Sequence, residues 1–216
     1  LERLGSVYQF PPDQRADWTK KVGAPVANMA EKAAAEEEVE VLFFVGCLGS
    51  FDSRNQQTTV ALARILQAAE INFAILGKEE TCNGDPARRI GNEYLAQMLA
   101  QQTVETLNQY TFKKIVTACP HCFNAIANEF PQIGGNYEVV HHSQLINQLI
   151  EEGRIRLDPE SAVARGKVTY ASVHGLEGAR RLAAEAHARA LAALATMPGP
   201  VEDLVGITDL TYARCH

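Results

Sequence analysis

The stretch VEVLFFVGC, Val39–Cys47, contains the clearest strand signal in the sequence and ends at a cysteine. Its apolar run is short and rich in Val and Phe, which is typical of a strand buried on both faces of a sheet. Comparable runs follow at Asn72–Gly77, Lys113–Ala118 and Tyr137–His142, and a fifth strand is predicted at Lys167–Ser172. Helical patterns separate the runs. Strands alternating with helices predict an α/β fold, a parallel sheet with helices on both faces.

The helical patterns are read from apolar residues at helical spacing. Asp85 followed by Pro86 predicts an N-cap and a first helical position. The predicted helices cover residues 54–70, 85–110, 120–130, 143–152 and 176–196.

The chain is expected to have three parts. Proline and glycine interrupt residues 1–38, which predicts a peripheral N-terminal segment whose Trp18 packs against the main domain. Residues 39–155 form the cysteine-rich domain, and residues 156–216 form a C-terminal α/β segment.

Composition excludes some classes of function. The formal net charge is −6, without clusters of Lys and Arg, which excludes a nucleic-acid partner. No apolar run approaches the roughly 20 residues that span a bilayer, and no secretory signal is visible, so a cytoplasmic location is expected. In a reducing compartment, clustered cysteines serve as ligands or catalysts more often than as disulfides.

The cysteines fall at corresponding places. Cys47 follows the first predicted strand, Cys82 lies just past the second, and Cys119 ends the third, one helical turn before Cys122. Since sites in parallel sheets form beyond the carboxyl ends of the strands, these cysteines should meet at one edge. Cys215, next to His216, has no partner at useful spacing and is left unassigned.

Four convergent thiolates suit a soft metal centre, either an iron–sulfur cluster or zinc. Gly46 and Gly84 lie close in sequence to two of the cysteines and allow main-chain N–H groups to approach sulfur. Cys119 precedes a helix whose N-terminal partial charge favours a thiolate.

These residues carry a family resemblance. Val41–Arg154 resembles the cysteine-rich domain shared by the heterodisulfide reductase catalytic subunit, the glycolate oxidase iron–sulfur subunit and related Fe–S oxidoreductases. The branch it looks closest to is thought to pass electrons from electron-transferring flavoprotein to a quinone. The matching pieces are Phe43–Asn55, Glu79–Leu95, Lys113–Pro131 and Tyr137–Ile155, with Pro11–Trp18 similar to the segment that precedes the domain in that branch.

The resemblance implies a Rossmann-like domain in which Cys47, Cys82, Cys119 and Cys122 bind an iron–sulfur cluster. The family's fuller pattern has a doubled cysteine before glycine, where this chain has Cys82, Asn83 and Gly84. The doubled site is associated with a non-cubane double cluster. Four cysteines instead favour one [4Fe–4S] cluster that relays electrons.

The resemblance also implies partners. These are other redox subunits, such as electron-transferring flavoprotein or a flavin- or ferredoxin-type subunit, and a quinone-reducing component at the inner face of the membrane, reached through a partner or a missing segment. Relatives usually carry a second copy of the domain with a His-Asp-Pro-Cys motif. Here Ala171-Ser172-Val173-His174 stands in its place, which indicates an incomplete or degenerate second repeat.

Other polar residues receive simpler interpretations. Asp85 is expected to cap a helix, and His121 to lie on a helix surface. Arg88 and Arg89 either offset cluster charge, face a partner protein or lie on a solvated helix surface. Glu79–Glu80, like Glu36–Glu38, are expected to be solvated.

Two alternative functions stay open. Cys119-Pro120-His121-Cys122 between a strand and a helix is locally similar to the site of a thiol–disulfide oxidoreductase, although Cys47 and Cys82 would then be idle. Four thiolates could also hold a structural zinc ion, although such sites generally pair two short Cys-x-x-Cys motifs.

Overall fold

A parallel sheet organises the first part of the chain in the computed structural model, which describes residues 1–156, 170–197 and 199–213. The strand order is β1-β3-β2-β4-β5, and every neighbouring pair is parallel. The predicted α/β class is confirmed. The strands are β1 Ala27–Asn28, β2 Val39–Phe43, β3 Phe73–Ile75, β4 Phe112–Thr117 and β5 Val139–His141.

Helices cover both faces of this sheet. The first compact unit, Leu1–Arg156, contains α1 to α7, and 3₁₀ segments at Pro12–Lys21, Gly77–Glu79 and Phe130–Ile133. A π-helical turn, Ala125–Glu129, continues α6. The helices are α1 Met29–Ala34, α2 Gly46–Phe51, α3 Asn55–Ala68, α4 Asp85–Arg89, α5 Glu93–Leu107, α6 Pro120–Asn124 and α7 His142–Glu151.

Side chains along each strand point alternately to the two faces of the sheet, and a separate hydrophobic core forms on each face. On one face, Val41 and Phe43 of β2 pack with side chains of α3 and α7. On the other, Leu42 and Phe44 pack with α5 and with the π-helical turn. Because β2 is apolar on both faces, it lies inside the sheet between β3 and β4, as a two-sided apolar strand requires.

The N-terminal segment contributes to this core. Residues 1–38 were predicted to be peripheral, yet they supply the edge strand β1, which pairs with β3. Trp18 is only 1% exposed and packs against Phe43, as expected from the sequence, with ring centroids 6.0 Å apart. The segment therefore also supplies the fifth strand, which the sequence pattern had placed elsewhere.

The prediction of a strand at Lys167–Ser172 is wrong for the three of its residues that the structure describes. Residues 170–172 are helical, and residues 167–169 lie outside the described part of the chain. The alanine-rich sequence that follows favours helix, and a helix satisfies its own backbone groups whereas a strand needs a neighbour.

The single helix predicted over residues 85–110 is two helices. α4 ends before Gly91, whose φ of +83° leaves the helical region. Asn92 then caps α5 by accepting a hydrogen bond from the Leu95 N–H at 3.1 Å. The apolar periodicity continued through this break and concealed it.

The second unit, Leu157–His216, contains two described helices, α8 Tyr170–Leu194 and α9 Glu202–Ala213. They contact each other through His187, whose ring stacks on Tyr212 and whose Nε2 lies 2.8 Å from Asp209 Oδ1. Among the residues the structure describes, no helix is both long and apolar enough to span a membrane. The proposal that this unit is an incomplete second repeat stays a prediction.

Candidate functional site

The candidate site lies at the carboxyl ends of β2, β3 and β4. The connection leaving β2 returns to β3 on one side, whereas the connection leaving β4 leads to β5 on the other. The two connections diverge, so a crevice opens between the ends of β2 and β4, the usual place for a ligand in such a sheet. Cys47, in the first turn of α2, and Cys119, at the N-cap of α6, lie on the two sides of this crevice.

One cavity collects all four predicted cysteines. Its volume is ≈ 300 Å³, and the exposed surface of its wall is mainly apolar. Cys82 and Cys122 are buried, while Cys47 and Cys119 are partly exposed. The cavity is lined by Val7, Phe44, Gly46, Cys47, Leu48, Thr81, Cys82, Asn83, Asp85, Pro86, Arg89, Cys119, His121 and Cys122.

The first thiol pair is Cys47 and Cys82. The neighbouring Cys82 thiol, aided by the charge and hydrogen bond of Arg15, lowers the pKa of Cys47 to about 5. Interaction with Cys47 and burial raise the pKa of Cys82, whose Sγ lies 4.0 Å from Asn83 Oδ1. The backbone N–H of Cys82 donates to Gly5 O at 2.8 Å, which ties this loop to the N-terminal segment. Cys47, which Arg15 contacts, is therefore the more acidic thiol of the pair.

The second thiol pair is Cys119 and Cys122. A hydrogen bond from Cys122 and the backbone N–H groups of Cys122 and His121 lower the pKa of Cys119 to about 6. The lowered pKa of Cys119 agrees with the expected effect of a helix N-terminus on a thiolate. The bond to Cys119 and burial raise the pKa of Cys122, and the nearby charges of Glu80 and Cys47 raise it further. The two pairs therefore interact electrostatically across the cavity.

Gly46 allows the two sides of the cavity to approach closely. Its φ is +75°, and a Cβ placed on it would lie 3.1 Å from Cys122 Sγ. Gly84, beside Cys82, allows a different close approach, to the backbone of α5: its φ is +90°, and a Cβ would lie 2.4 Å from the Ala96 carbonyl oxygen. Both positions require a residue without a side chain.

Replacing Gly46 by Ala is expected to destabilise the fold by about 1–3 kcal/mol more than replacing Gly23 by Ala, because the added Cβ would crowd the Cys122 sulfur. Both glycines have positive φ, +75° and +93°, but a Cβ at Gly23 would meet nothing within 4 Å. The strain of the left-handed backbone, about 1–2 kcal/mol, is common to both. Urea unfolding followed by Trp18 fluorescence measures the difference. Equal losses in the two variants would mean that the contact with Cys122 is not tight.

A buried ion pair, Arg15–Glu80, lies beneath the first thiol pair. Arg15 Nη1 is 3.1 Å from Glu80 Oε1, and both side chains are at most 3% exposed. Glu80 also accepts the backbone N–H groups of Val45 at 2.9 Å and Gly46 at 2.8 Å. Burial raises the pKa of Glu80 to about 7, while Arg15 and these N–H groups oppose the shift. The prediction that Glu80 is solvated is wrong, because Arg15 supplies a partner for the buried carboxylate.

The rim beside Cys82 is polar. Asp85 does not cap α4 as predicted, since Gly84 takes the N-cap position and Asn83 Oδ1 accepts the Asp85 N–H at 3.0 Å. The Asp85 carboxylate instead lies 2.9 Å from Arg89 Nε and 3.1 Å from His121 Nδ1. His121 and Arg89 are more than half exposed on the rim. Arg88 lies on the surface and pairs with Glu93 and Glu129.

The thiols form two pairs rather than one tight group. Within residues 1–156, 170–197 and 199–213, no three side chains of His, Cys, Asp or Glu are grouped so that they could hold one metal ion. Cys215, the fifth cysteine, lies outside the described residues together with His216. The functional residues missed by the sequence analysis are Arg15 and Glu80, and the only signal for Arg15 was the similarity of Pro11–Trp18 to its counterpart in relatives.

Comparison with known proteins agrees with this geometry. Residues 41–127 match the family described as "CCG: Cysteine-rich domain". This part of the chain, which runs from Val41 of β2 through β3 and β4 and includes all four cysteines of the cavity, matches the cysteine-rich domain of that family.

The relatives are oxidoreductases or iron–sulfur proteins by name. The chain is 42% identical over 157 residues to the "EtfAB:quinone oxidoreductase" of Syntrophomonas wolfei, covering 72% of this chain and 21% of that protein. It is 36% identical over 157 residues to the "Probable iron-sulfur-binding oxidoreductase FadF" of Bacillus subtilis, covering 72% of this chain and 22% of that protein. It is 32% identical over 127 residues to one component of the dihydromethanophenazine:CoB–CoM heterodisulfide reductase of Methanosarcina barkeri, covering 56% of this chain and 31% of that protein.

The matched region is thus about a fifth of the first relatives' length. No solved structure matches the chain. The likeness therefore concerns one part of those larger proteins and does not extend to their whole length.

Proposed function

We propose that this chain is the cluster-binding part of an iron–sulfur oxidoreductase, with Cys47, Cys82, Cys119 and Cys122 as the cluster ligands. One observation carries the proposal: four cysteines from three separate strand ends line a single cavity of ≈ 300 Å³. Cysteines serving only as small apolar residues would not need to converge at the ligand-binding edge of a parallel sheet.

The protonation of the thiols supports this ligand role. Ligand thiols bind as thiolates, and Cys47 and Cys119 have pKa values lowered to about 5 and about 6, one in each pair. Each pair supplies one sulfur that is ready to coordinate and one protonated neighbour that would release its proton on binding. Two separated pairs suit a core of several metal atoms better than one tetrahedral zinc ion.

The residue after Cys82 supports an ordinary [4Fe–4S] cluster over a non-cubane one. Asn83 takes the place of the second cysteine of the family's doubled site, and it is 5% exposed. Its Oδ1 accepts the Asp85 N–H, so this position holds the loop and carries no thiol. Among the residues that the structure describes, the cavity therefore offers four sulfurs.

The cluster would supply one-electron transfer when bound, and the chain would supply ligands, burial and hydrogen bonds. We infer a flavoprotein or ferredoxin-type donor and a quinone or disulfide acceptor, provided by other redox subunits. The names of the relatives support this, since one includes EtfAB and a quinone and another a heterodisulfide. The proposed location is cytoplasmic, at the inner face of the membrane through a partner or a further segment.

Anaerobic quantitation of iron and sulfide, with EPR of the dithionite-reduced chain, tests the proposal. We expect four iron and four sulfide per chain, in keeping with the cubane formula, and an EPR signal that appears only on reduction. An iron-free protein after anaerobic purification and reconstitution would contradict the proposed function. Zinc in place of iron would support the structural alternative.

A second candidate function rests on the asymmetry of Cys119 and Cys122. The pKa of Cys119 is lowered to about 6 and that of Cys122 is raised, as for an attacking and a resolving thiol of a thiol–disulfide oxidoreductase. However, Cys47 and Cys82 show the same asymmetry, which a single dithiol site leaves unexplained. Disulfide exchange retained by a Cys47→Ala/Cys82→Ala double variant would favour this function.

A further inference from the structure

Arg15 brings a buried positive charge from the N-terminal segment to the cavity. Its Nη2 lies 3.5 Å from Cys47 Sγ and donates to Gly5 O at 3.1 Å, and its Nη1 lies 3.1 Å from Glu80. The guanidinium carbon lies 5.4 Å from the centroid of the Phe51 ring. The side chain is 3% exposed, so its charge is poorly screened by solvent.

The ion pair with Glu80 leaves Arg15 able to interact with a second negatively charged neighbour. Its carboxylate also accepts two backbone N–H groups, which share its negative charge with the peptide dipoles at the start of α2. The planar guanidinium can serve both neighbours at once, since it carries five N–H donors in a fixed fork. One edge of Arg15 therefore faces Glu80, and the other faces Cys47.

We propose that Arg15 is a positioning residue that raises the reduction potential of the cluster held at Cys47. This inference rests on the proposed function. Reduction adds one negative charge to the cluster, and a fixed positive charge and an N–H group directed at a ligand sulfur both stabilise the reduced form. Because Arg15 belongs to the N-terminal segment, the segment acts on the potential without supplying a ligand.

Redox titration of the full chain, followed by EPR, tests this role with three variants. Arg15→Gln removes the charge, and we expect about a tenfold shift towards the oxidised cluster, which is about 59 mV lower in midpoint potential for one electron. Arg15→Lys keeps the charge but not the fork, so a smaller decrease is expected. Arg64→Gln is the matched control, since Arg64 holds the same segment by donating to Val22 O at 2.9 Å and Lys21 O at 2.7 Å, away from the thiols.

The fluorescence of Trp18, the chain's single tryptophan, distinguishes a direct effect of Arg15 on the reduction potential from detachment of the N-terminal segment. It is buried in the same 3₁₀ segment as Arg15, so an undocked segment would shift its emission to the red. A lower potential with unchanged emission supports the proposal. If Arg15→Gln does not fold, Arg15→Lys decides in its place, because it keeps a positive partner for Glu80.

An unchanged potential in the folded Arg15 variants overturns the role of Arg15 and leaves the proposed function intact. An equal decrease in Arg64→Gln also overturns it, because docking of the segment would then be the cause. Absence of iron from the unaltered chain would instead remove the proposed function itself. The two failures are therefore distinguishable.

Discussion

Replacing Cys82 by Ala is expected to abolish the cluster. Cys82 is a free, 4% exposed thiol beside Cys47, and the only other described cysteines near it are the three already in the cavity. Loss of groups that only support a ligand costs about 10–100-fold in metal affinity, so the loss of a ligand should exceed that. Iron and sulfide analysis after anaerobic reconstitution measures the effect.

Cys215→Ala is the control for this experiment, because the sequence offers Cys215 no partner at ligand spacing. It should bind as much iron as the unaltered chain. Circular dichroism and Trp18 fluorescence of Cys82→Ala should be close to native, since the Ala side chain fits a small buried site. Full iron content in Cys82→Ala would show that the cavity is not a four-thiolate site.

The parts of this site that the sequence predicted depend on local pattern. Short apolar runs predicted β2, β3, β4 and β5. For β2 and β3 the reason is that a strand buried on both faces must be apolar at consecutive positions. Once the strands are parallel, geometry alone brings their carboxyl ends to one edge. The convergence of Cys47, Cys82 and Cys119 therefore needed no knowledge of side-chain packing.

The parts that the sequence could not predict depend on long-range contacts. Arg15 and Glu80 are 65 residues apart, and each is a charged residue in a polar stretch. Such residues are solvated unless a partner is buried with them, and no local pattern identifies the partner. The strand β1 has two residues, Ala27–Asn28, and is defined by its pairing with β3 rather than by its own composition.

Replacing Glu80 by Ala is expected to destabilise the fold by about 3–5 kcal/mol, because it removes one partner of a buried ion pair. Arg15 would stay buried with the Cys47 sulfur but no carboxylate beside it, and the N–H groups of Val45 and Gly46 would lose their acceptor. The N-terminal segment should therefore detach from the Cys47 loop before the sheet unfolds. Urea unfolding, with the red shift of Trp18 emission as the local signal, measures both steps.

Two further variants separate the ion pair from a general effect of removing a carboxylate. Asp17→Ala breaks the surface ion pair between Asp17, which is 50% exposed, and Lys20, which is 78% exposed. It should lower the free energy of unfolding by at most about 1 kcal/mol. The double variant Arg15→Met/Glu80→Ala should be more stable than Glu80→Ala alone, because it no longer buries an unpaired charge. If Glu80→Ala costs no more than Asp17→Ala, then the pair does not hold the segment at the cavity. In that case the contacts of Arg15 with the Gly5 carbonyl and the Phe51 ring are what hold its guanidinium beside Cys47.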